Sequence, residues 1–190
     1  MTRRPDPAET VRTVLHELRS RVGAIRLAVT TLQTNTSDEE LMKSLLATAD
    51  RETLRVSMEM VAVTALVTCL TDRSAPRSFD IGHALRNAVT LTERVGGRAT
   101  LGRGSKAIVR ARPRGFESAL SSLMQLVADV DGETIVSVST KNGAVTVKLA
   151  RPDGSHAPGG SLVKNLLAGI GATQIPSDAG LVFRLEGVSP

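Results

Sequence analysis

The sequence predicts an α+β protein in which an N-terminal helical hairpin precedes a small sheet with helices on one face. Apolar residues recur at steps of three and four from Val11 to Leu70, which is the spacing of amphipathic helices. The polar, proline-containing segment TDRSAPRS at 71–78 ends that pattern, and ETIVSVSTKNGAVTVKLA beyond it alternates as β-strands do. We therefore expect a helical domain at 1–75 and an α/β domain at 76–190.

The composition is that of an intracellular globular protein. Among 190 residues, 41% are hydrophobic and 23% charged, and the single cysteine, Cys69, excludes an internal disulfide. We expect no signal peptide and no membrane span, and hence a cytoplasmic location. The formal net charge of +5 favours an acidic partner. Nucleic acid is not the expected partner, because three Phe and no Trp or Tyr provide few surfaces on which bases can stack.

The first helix is predicted from about Pro7 to Gln33, and the second begins near Asp38. Ser37 followed by Glu40 three residues later has the spacing of a capping box at the start of the second helix. One apolar stripe runs along the first helix: Val11, Val14, Leu15, Leu18, Val22, Ile25, Val29 and Leu32. Two helices joined by a short loop form a hairpin.

The second helix carries more apolar surface than one neighbouring helix can cover. Its seam has a 3.5-residue repeat: Met42, Leu46, Ala49, Thr53, Val56, Met60, Val63, Val67 and Leu70. A further apolar set lies beside the seam: Leu41, Leu45, Leu54, Met58, Val61 and Leu66. The pattern therefore predicts a homodimer in which two hairpins form a four-helix bundle.

The remaining elements follow from periodicity and turn chemistry. Asn142-Gly143 supplies the positive φ angles of a type I′ turn between two strands. Three helices are predicted, at Ile81 to about Arg94, Phe116 to Val130, and Ser161 to about Ala168. An alternation at Ala107 to Arg112, a short TQI strand and a final strand in GLVFRLEGV complete the α/β domain.

His16 lies on the face of the first helix that is opposite the apolar stripe. At 100° per residue it falls about 150° from the centre of that stripe, so a packed core histidine is excluded. It is then either an ordinary surface histidine or a reactive one. The two other histidines, His83 and His156, lack neighbouring residues at metal-ligand spacing, and no metal site is predicted.

The residues around His16 resemble a known motif. HELRSRVGAI is similar to the phosphoacceptor box of bacterial sensor histidine kinases, commonly written H-E-L-R-T/S-P-L-x-x-I. FDIGHALRNAV resembles the first helix of that family's ATP-binding domain, and GGSLVKNLLAGIGATQIPSDAGLVFRLEGV resembles its last glycine box, helix and hairpin. The resemblance implies a dimeric helical bundle, a linker and a small ATPase-like α/β sandwich. Arg21 stands where the family box has proline.

The nucleotide motifs of that family are degenerate in this chain. The helix that carries N-x-x-x-N in the family reads SALSSLMQLVAD, with Ser122 and Leu126 at the two asparagine positions, and leucine cannot help to hold Mg²⁺. The D-x-G-x-G motif and long lid are reduced to RPDGSHAPGGS, with Asp153-Gly154 and Gly159-Gly160 as remnants. We therefore expect that this chain binds no cofactor.

The resemblance, with its phosphoacceptor box retained and its nucleotide motifs degenerate, implies a histidine phosphotransferase. The resemblance implies that His16 carries the phosphoryl group and that Glu17 assists it. The partners would be response-regulator receiver domains, which would supply Mg²⁺, together with a hybrid histidine kinase as a possible donor. Residues of the exposed face would bind the receiver: Arg12, Arg19, Ser20 and Gly23. The alternatives are a non-catalytic dimeric adaptor or pseudokinase and, less favoured, an active ATP-dependent kinase.

Overall fold

The computed structural model describes residues 6–34, 38–94, 97–102, 107–129, 132–154, 160–178 and 180–187. Within these ranges the chain is an α+β protein, as predicted. The helices are α1 (Pro7–Thr34), α2 (Glu39–Thr71), α3 (Ile81–Arg94), α4 (Pro113–Ala128) and α5 (Ser161–Gly169). The strands are β1 (Arg77–Asp80), β2 (Arg98–Leu101), β3 (Ile108–Ala111), β4 (Glu133–Lys141), β5 (Ala144–Ala150), β6 (Thr173–Ile175) and β7 (Leu181–Glu186).

The predicted hairpin of α1 and α2 is present, and one detail of its connection differs. The N-cap of α2 is Asp38, whose Oδ1 accepts a hydrogen bond from the backbone N–H of Leu41 at 3.0 Å. Ser37, the capping residue that we predicted, lies outside the described residues. The helix still begins where the sequence placed it, because an aspartate at this position satisfies the same free N–H groups of the first turn.

The α/β domain contains a five-stranded sheet of order β2-β4-β5-β7-β6. Strand β2 runs parallel to β4, and the other neighbours are antiparallel. The β4–β5 hairpin turns at Asn142 and Gly143, whose φ angles of 52° and 72° confirm the predicted type of turn. Helices α3, α4 and α5 supply the apolar side chains that cover one face of this sheet.

Two strands were missed, and one helix begins earlier than expected. Strand β1 occupies the end of the segment that we expected to be a linker, where it pairs with β3, and β2 follows the turn after α3. Each has only four residues, RSFD and RATL, which is too short for an alternation to stand out. Helix α4 begins at Pro113 rather than Phe116, since proline is favoured in the first turn of a helix.

The second half of α2 belongs to the core of the α/β domain. Its buried Ala62, Leu66 and Cys69 lie in one continuous apolar cluster with residues of the sheet and of α4 and α5. The approach is close, because a Cβ added at Gly169 would lie 2.9 Å from the Cβ of Cys69, and the Cys69 thiol donates to the carbonyl of Gly115 at 3.2 Å. The boundary at residues 75 and 76 remains a prediction, but packing continues across it.

By length and composition alone, α2 is one helix that could cross a membrane, a candidate that we did not single out in the sequence. One helix of this kind is weak support for a span, since the core helix of a soluble protein has the same properties. The packing of its second half into the core accounts for part of its apolar character.

Candidate functional site

His16 lies on an exposed face of α1. It forms no hydrogen bond or ion pair with the residues that the structure describes. The four residues that we predicted as partner-binding are also exposed, and their helical positions lie within about 60° of His16: Arg12, Arg19, Ser20 and Gly23. A Cβ at Gly23 would have no atom within 4 Å, so the surface beside the imidazole is open. The fold thus presents these five residues together.

Glu17 does not share that face. It follows His16 by one residue, which turns it about 100° around the helix. There it lines a cavity of about 530 Å³ between the hairpin and the α/β domain. From the hairpin the walls include Thr13, Arg21, Arg55 and Glu59, and from the α/β domain Leu126, Asp129, Arg151 and the first turn of α5. The structure therefore places the predicted acid beside the cavity and the predicted phosphoacceptor outside it.

Arg21 joins the two helices of the hairpin through two carboxylates. Its Nη1 donates to Glu52 at 2.8 Å, and its Nε donates to Glu59 at 3.0 Å. Helix α1 runs without a break through this position, which is consistent with the absence of the family's proline. Arg21 thus provides a tie between α1 and α2 that a proline could not form.

A second arginine continues these contacts into the α/β domain. Arg55 contacts Glu52 at 3.0 Å and binds Asp129, the C-cap of α4, through two hydrogen bonds of 3.3 and 3.2 Å. At another point of contact, the buried Nδ2 of Asn165 donates to the hydroxyl of Thr10, which joins α5 to α1. Among the described residues, the Arg55–Asp129 ion pair and the buried Asn165–Thr10 hydrogen bond therefore join the hairpin to the α/β domain.

The two carboxylates that bind Arg21 have pKa values shifted in opposite directions. The hydrogen bond from Arg21 lowers the pKa of Glu52, whereas burial raises the pKa of Glu59 although Arg21 opposes that rise. The second oxygen of Glu59, Oε2, is buried and has no partner among the described residues. The same holds for Nε of Arg151 on the opposite wall. The cavity therefore contains an unsatisfied acceptor and an unsatisfied donor.

The two positions that correspond to the family's asparagines line different parts of the molecule. Ser122 is buried and lines a separate groove between α2 and α4, where its Oγ has no described partner. Leu126 lines the cavity between the hairpin and the α/β domain. In the described part of the chain, no group of three His, Cys, Asp or Glu side chains is placed to hold a metal ion.

Sequence reasoning missed the ion-pair network that joins α1 to α2 and α2 to the α/β domain. We singled out Arg21 only as a substitution for proline, and Glu52, Arg55, Glu59 and Asp129 not at all. One signal was available, because Glu59 interrupts the apolar run MEMVAV and a carboxylate at such a position requires a partner. The partner itself comes from the other helix, and that pairing depends on how the two helices are aligned.

Comparison with known proteins identifies the fold. No family profile matches the chain, and no curated protein matches it significantly. Among solved structures, the Acinetobacter baumannii histidine kinase AdeS is similar, with a TM-score of 0.52 and 16% identity over 90% of this chain and 97% of that one. The histidine kinase ThkA, solved in complex with the response regulator TrrA, is similar with a TM-score of 0.52 and 16% identity. That match covers 94% of this chain and 60% of that one. The chain has the fold of bacterial sensor histidine kinases, with a phosphoacceptor-type hairpin and an ATPase-like domain.

Proposed function

We propose that this protein is a cytoplasmic histidine phosphotransferase of a bacterial phosphorelay, which passes phosphoryl groups between receiver domains through His16. The observation that carries the proposal is the exposure of His16 on α1 of a histidine-kinase-like fold. It is combined with Ser122 and Leu126 at the positions that the sequence resemblance assigns to the family's nucleotide-binding asparagines. A histidine kinase of the same fold, ThkA, forms a complex with a response regulator, which supports a receiver domain as the partner.

The chemistry needs little from this chain beyond an accessible imidazole. One neutral ring nitrogen of His16 attacks the phosphorus of a receiver's aspartyl phosphate, so that a P–N bond forms as the P–O bond breaks and the aspartate leaves as a carboxylate. The reverse step on a second receiver regenerates the imidazole. The receiver supplies Mg²⁺, which offsets charge on the transferring group. Arg12 and Arg19 lie beside His16 and attract the acidic site of the receiver.

Glu17 acts in this scheme as the residue that assists proton transfer. Glu17 lies on the cavity side of α1, about 100° around the helix from His16. From there its carboxylate reaches the imidazole through an intervening water when the receiver is bound. Replacement of Glu17 by Gln slows transfer by roughly a hundredfold but does not abolish it, because general acid–base assistance contributes about that factor.

The protein acts as a dimer in this proposal. Exposed apolar residues recur at intervals of seven on both helices of the hairpin, and in the single chain each is between 43% and 58% exposed. On α1 they are Leu15, Val22 and Val29, and on α2 they are Leu46, Met60 and Val67, with Thr53 at the remaining heptad position. This spacing keeps them along one seam of the hairpin. A second copy packed on the seam removes this surface from water and forms the four-helix bundle.

The decisive experiment follows the label. Radiolabelled, phosphorylated receiver domains of the source organism are incubated with the wild-type protein, with His16→Ala and with His83→Ala. His83 is a matched control, since it is also an exposed helical histidine and its ring lies 3.4 Å from Asn87. Label transfer to the wild type and to His83→Ala, but not to His16→Ala, supports the proposal. If His16→Ala is labelled equally, or if no receiver labels the wild type, the relay is excluded and the adaptor remains.

ATP has no role in the reaction as proposed. The absence of an amide side chain at Leu126 and Ser122 removes ligands for Mg²⁺, and the segment between Asp153 and Gly160 is too short for the family's lid. Calorimetric titration of the protein with ATP and Mg²⁺ is expected to show no binding at micromolar concentration. Binding with micromolar affinity would contradict this expectation and favour the alternative that the protein is an active ATP-dependent kinase.

A further inference from the structure

We infer that the cavity between the hairpin and the α/β domain binds a small zwitterion of the chemical class of free α-amino acids. Its volume of about 530 Å³ lies within the range of roughly 300–1,000 Å³ that is typical of small-molecule sites. The inference concerns binding alone and does not depend on phosphoryl transfer through His16.

The wall that the hairpin contributes offers free acceptors. Glu17 forms no hydrogen bond or ion pair with the described residues, although it is close enough for its charge to act on Glu59. Glu59 is 9% exposed, and only its Oε1 is occupied, by Nε of Arg21. A buried carboxylate oxygen without a partner is costly. The ammonium group of a ligand satisfies this oxygen and attracts Glu17 at the same time.

The wall that the α/β domain contributes offers free donors. Nε of Arg151 is buried there and has no described partner. Helix α5 begins beside it after Gly160, which has no side chain to cap the helix, so no N-cap side chain among the described residues accepts from the N–H groups of its first turn at 161–163. These donors and the positive end of the helix favour a carboxylate.

A ligand with only one kind of charge fits the cavity poorly. Arg21 and Arg55 also line it, but their donors already bind Glu52, Glu59 and Asp129. Arg151 contacts Asp153 through Nη2 at 3.2 Å, yet its Nε has no described partner, so the guanidinium donor that remains available lies on the side of the α/β domain. A simple anion would meet the free carboxylates of the hairpin, and a simple cation would meet Arg151. A molecule with both charges satisfies both walls.

The two walls are joined by one ion pair within the lining and by one hydrogen bond outside it. The Arg55–Asp129 ion pair and the buried hydrogen bond between Asn165 and Thr10 join the two sides of the cavity. Because the ligand does not have to assemble the site, little binding energy is spent on ordering it.

The probes are the twenty standard amino acids, titrated singly into the full-length protein by calorimetry, with acetate and methylammonium as probes that carry one charge each. We expect at least one amino acid to bind and to shift the amide resonances of 161–163, and to bind at least tenfold more tightly than either single-charge probe. Arg151→Met and Glu17→Gln should each weaken that binding about tenfold, the factor expected for one charge-assisted hydrogen bond.

The matched control is Lys164→Met, which removes an exposed cation from α5 outside the lining of the cavity and should leave the affinity unchanged. The inference is overturned if no amino acid binds, if acetate binds as tightly as the best amino acid, or if Arg151→Met binds as the wild type does. Circular dichroism of Arg151→Met and Glu17→Gln verifies that each variant is folded, so that a loss of affinity reports on the cavity.

Discussion

Replacement of Arg21 by methionine should destabilise the protein, and the loss should depend on pH. Methionine keeps most of the apolar stem but removes both ion pairs of the guanidinium. The side chains of Glu59 and Glu52 are only 11% and 16% exposed, so both carboxylates lose a partner while they stay largely out of water. Arg21 itself is 29% exposed, which places the contact between a surface ion pair and a fully buried one.

The expected loss in free energy of unfolding is about 2 kcal/mol at pH 8. This value lies between the roughly 0–1 kcal/mol of exposed ion pairs and the roughly 3–5 kcal/mol of broken buried ones. Arg26→Met is the matched control, because Arg26 is exposed on the same helix and has no ion pair with the described residues. It should change stability by no more than about 0.5 kcal/mol.

The pH dependence follows from the two carboxyl groups. The pKa of Glu59 is raised in the folded protein, so its ionisation costs stability as the pH rises through that pKa, and more so without Arg21. The pKa of Glu52 is lowered, so the stability from its pairing with Arg21 is present above its unfolded pKa of about 4.3 and is lost as the pH falls. Between about pH 8 and about pH 5 only the Glu59 effect changes, and it makes the deficit of Arg21→Met smaller at about pH 5. The Glu52 effect reduces the deficit further only below about pH 4.3.

Urea unfolding followed by circular dichroism, at one fixed protein concentration, measures both effects. Adding Glu59→Gln to Arg21→Met should recover part of the loss at pH 8, because the variant then buries no unpaired carboxylate. A variant Arg21→Met as stable as Arg26→Met at pH 8, or a deficit that does not change with pH, would refute the account of this ion-pair network.

Three other results are expected. Val22→Glu should convert the dimer to a monomer in sedimentation velocity, because a charge at this exposed apolar position would be buried in the dimer. Ala24 is exposed on the opposite side of α1, so Ala24→Glu should leave the dimer intact. A Val22→Glu variant that remains a dimer would place the interface elsewhere. Burial raises the pKa of the Cys69 thiol to about 11, so a thiol reagent should label the denatured protein rapidly and the native protein slowly, and fast native labelling would contradict the packing of α2. Gly169→Ala should lower the free energy of unfolding by about 1–3 kcal/mol, because its Cβ would lie 2.9 Å from the Cβ of Cys69 in α2. Gly23→Ala, whose Cβ would have nothing within 4 Å, should raise the free energy of unfolding by up to about 1 kcal/mol. Thermal unfolding of the two variants shows whether the first is less stable and the second more stable than the wild type.

Local patterns were sufficient for the elements whose signals repeat. The heptad spacing of α1 and α2, and the Asn142-Gly143 turn between alternating strands, are visible in the sequence because one short-range rule applies to each. Strands β1 and β2 escaped notice because their four residues obtain their stability from neighbours that are distant in sequence.

In the candidate site, too, local sequence patterns predicted some features and long-range contacts determine the others. The face that presents His16 and Arg12 is a property of one helix and could be read from its periodicity. The cavity beside Glu17 depends on contacts between residues far apart in the chain, such as Arg55 with Asp129. No local rule links those residues, so only the folded chain brings the unsatisfied oxygen of Glu59 opposite Arg151.

The most direct test of phosphoryl transfer is the location of the phosphoryl group itself. The wild-type protein is incubated with a phosphorylated receiver domain in the absence of ATP, and its peptides are mapped by mass spectrometry at neutral pH, where phosphohistidine survives. The account predicts one modified residue, His16, with an acid-labile phosphoryl group that disappears when an unphosphorylated receiver is added. Phosphorylation at His83 instead, or modification of His16 only when ATP is supplied, would contradict it.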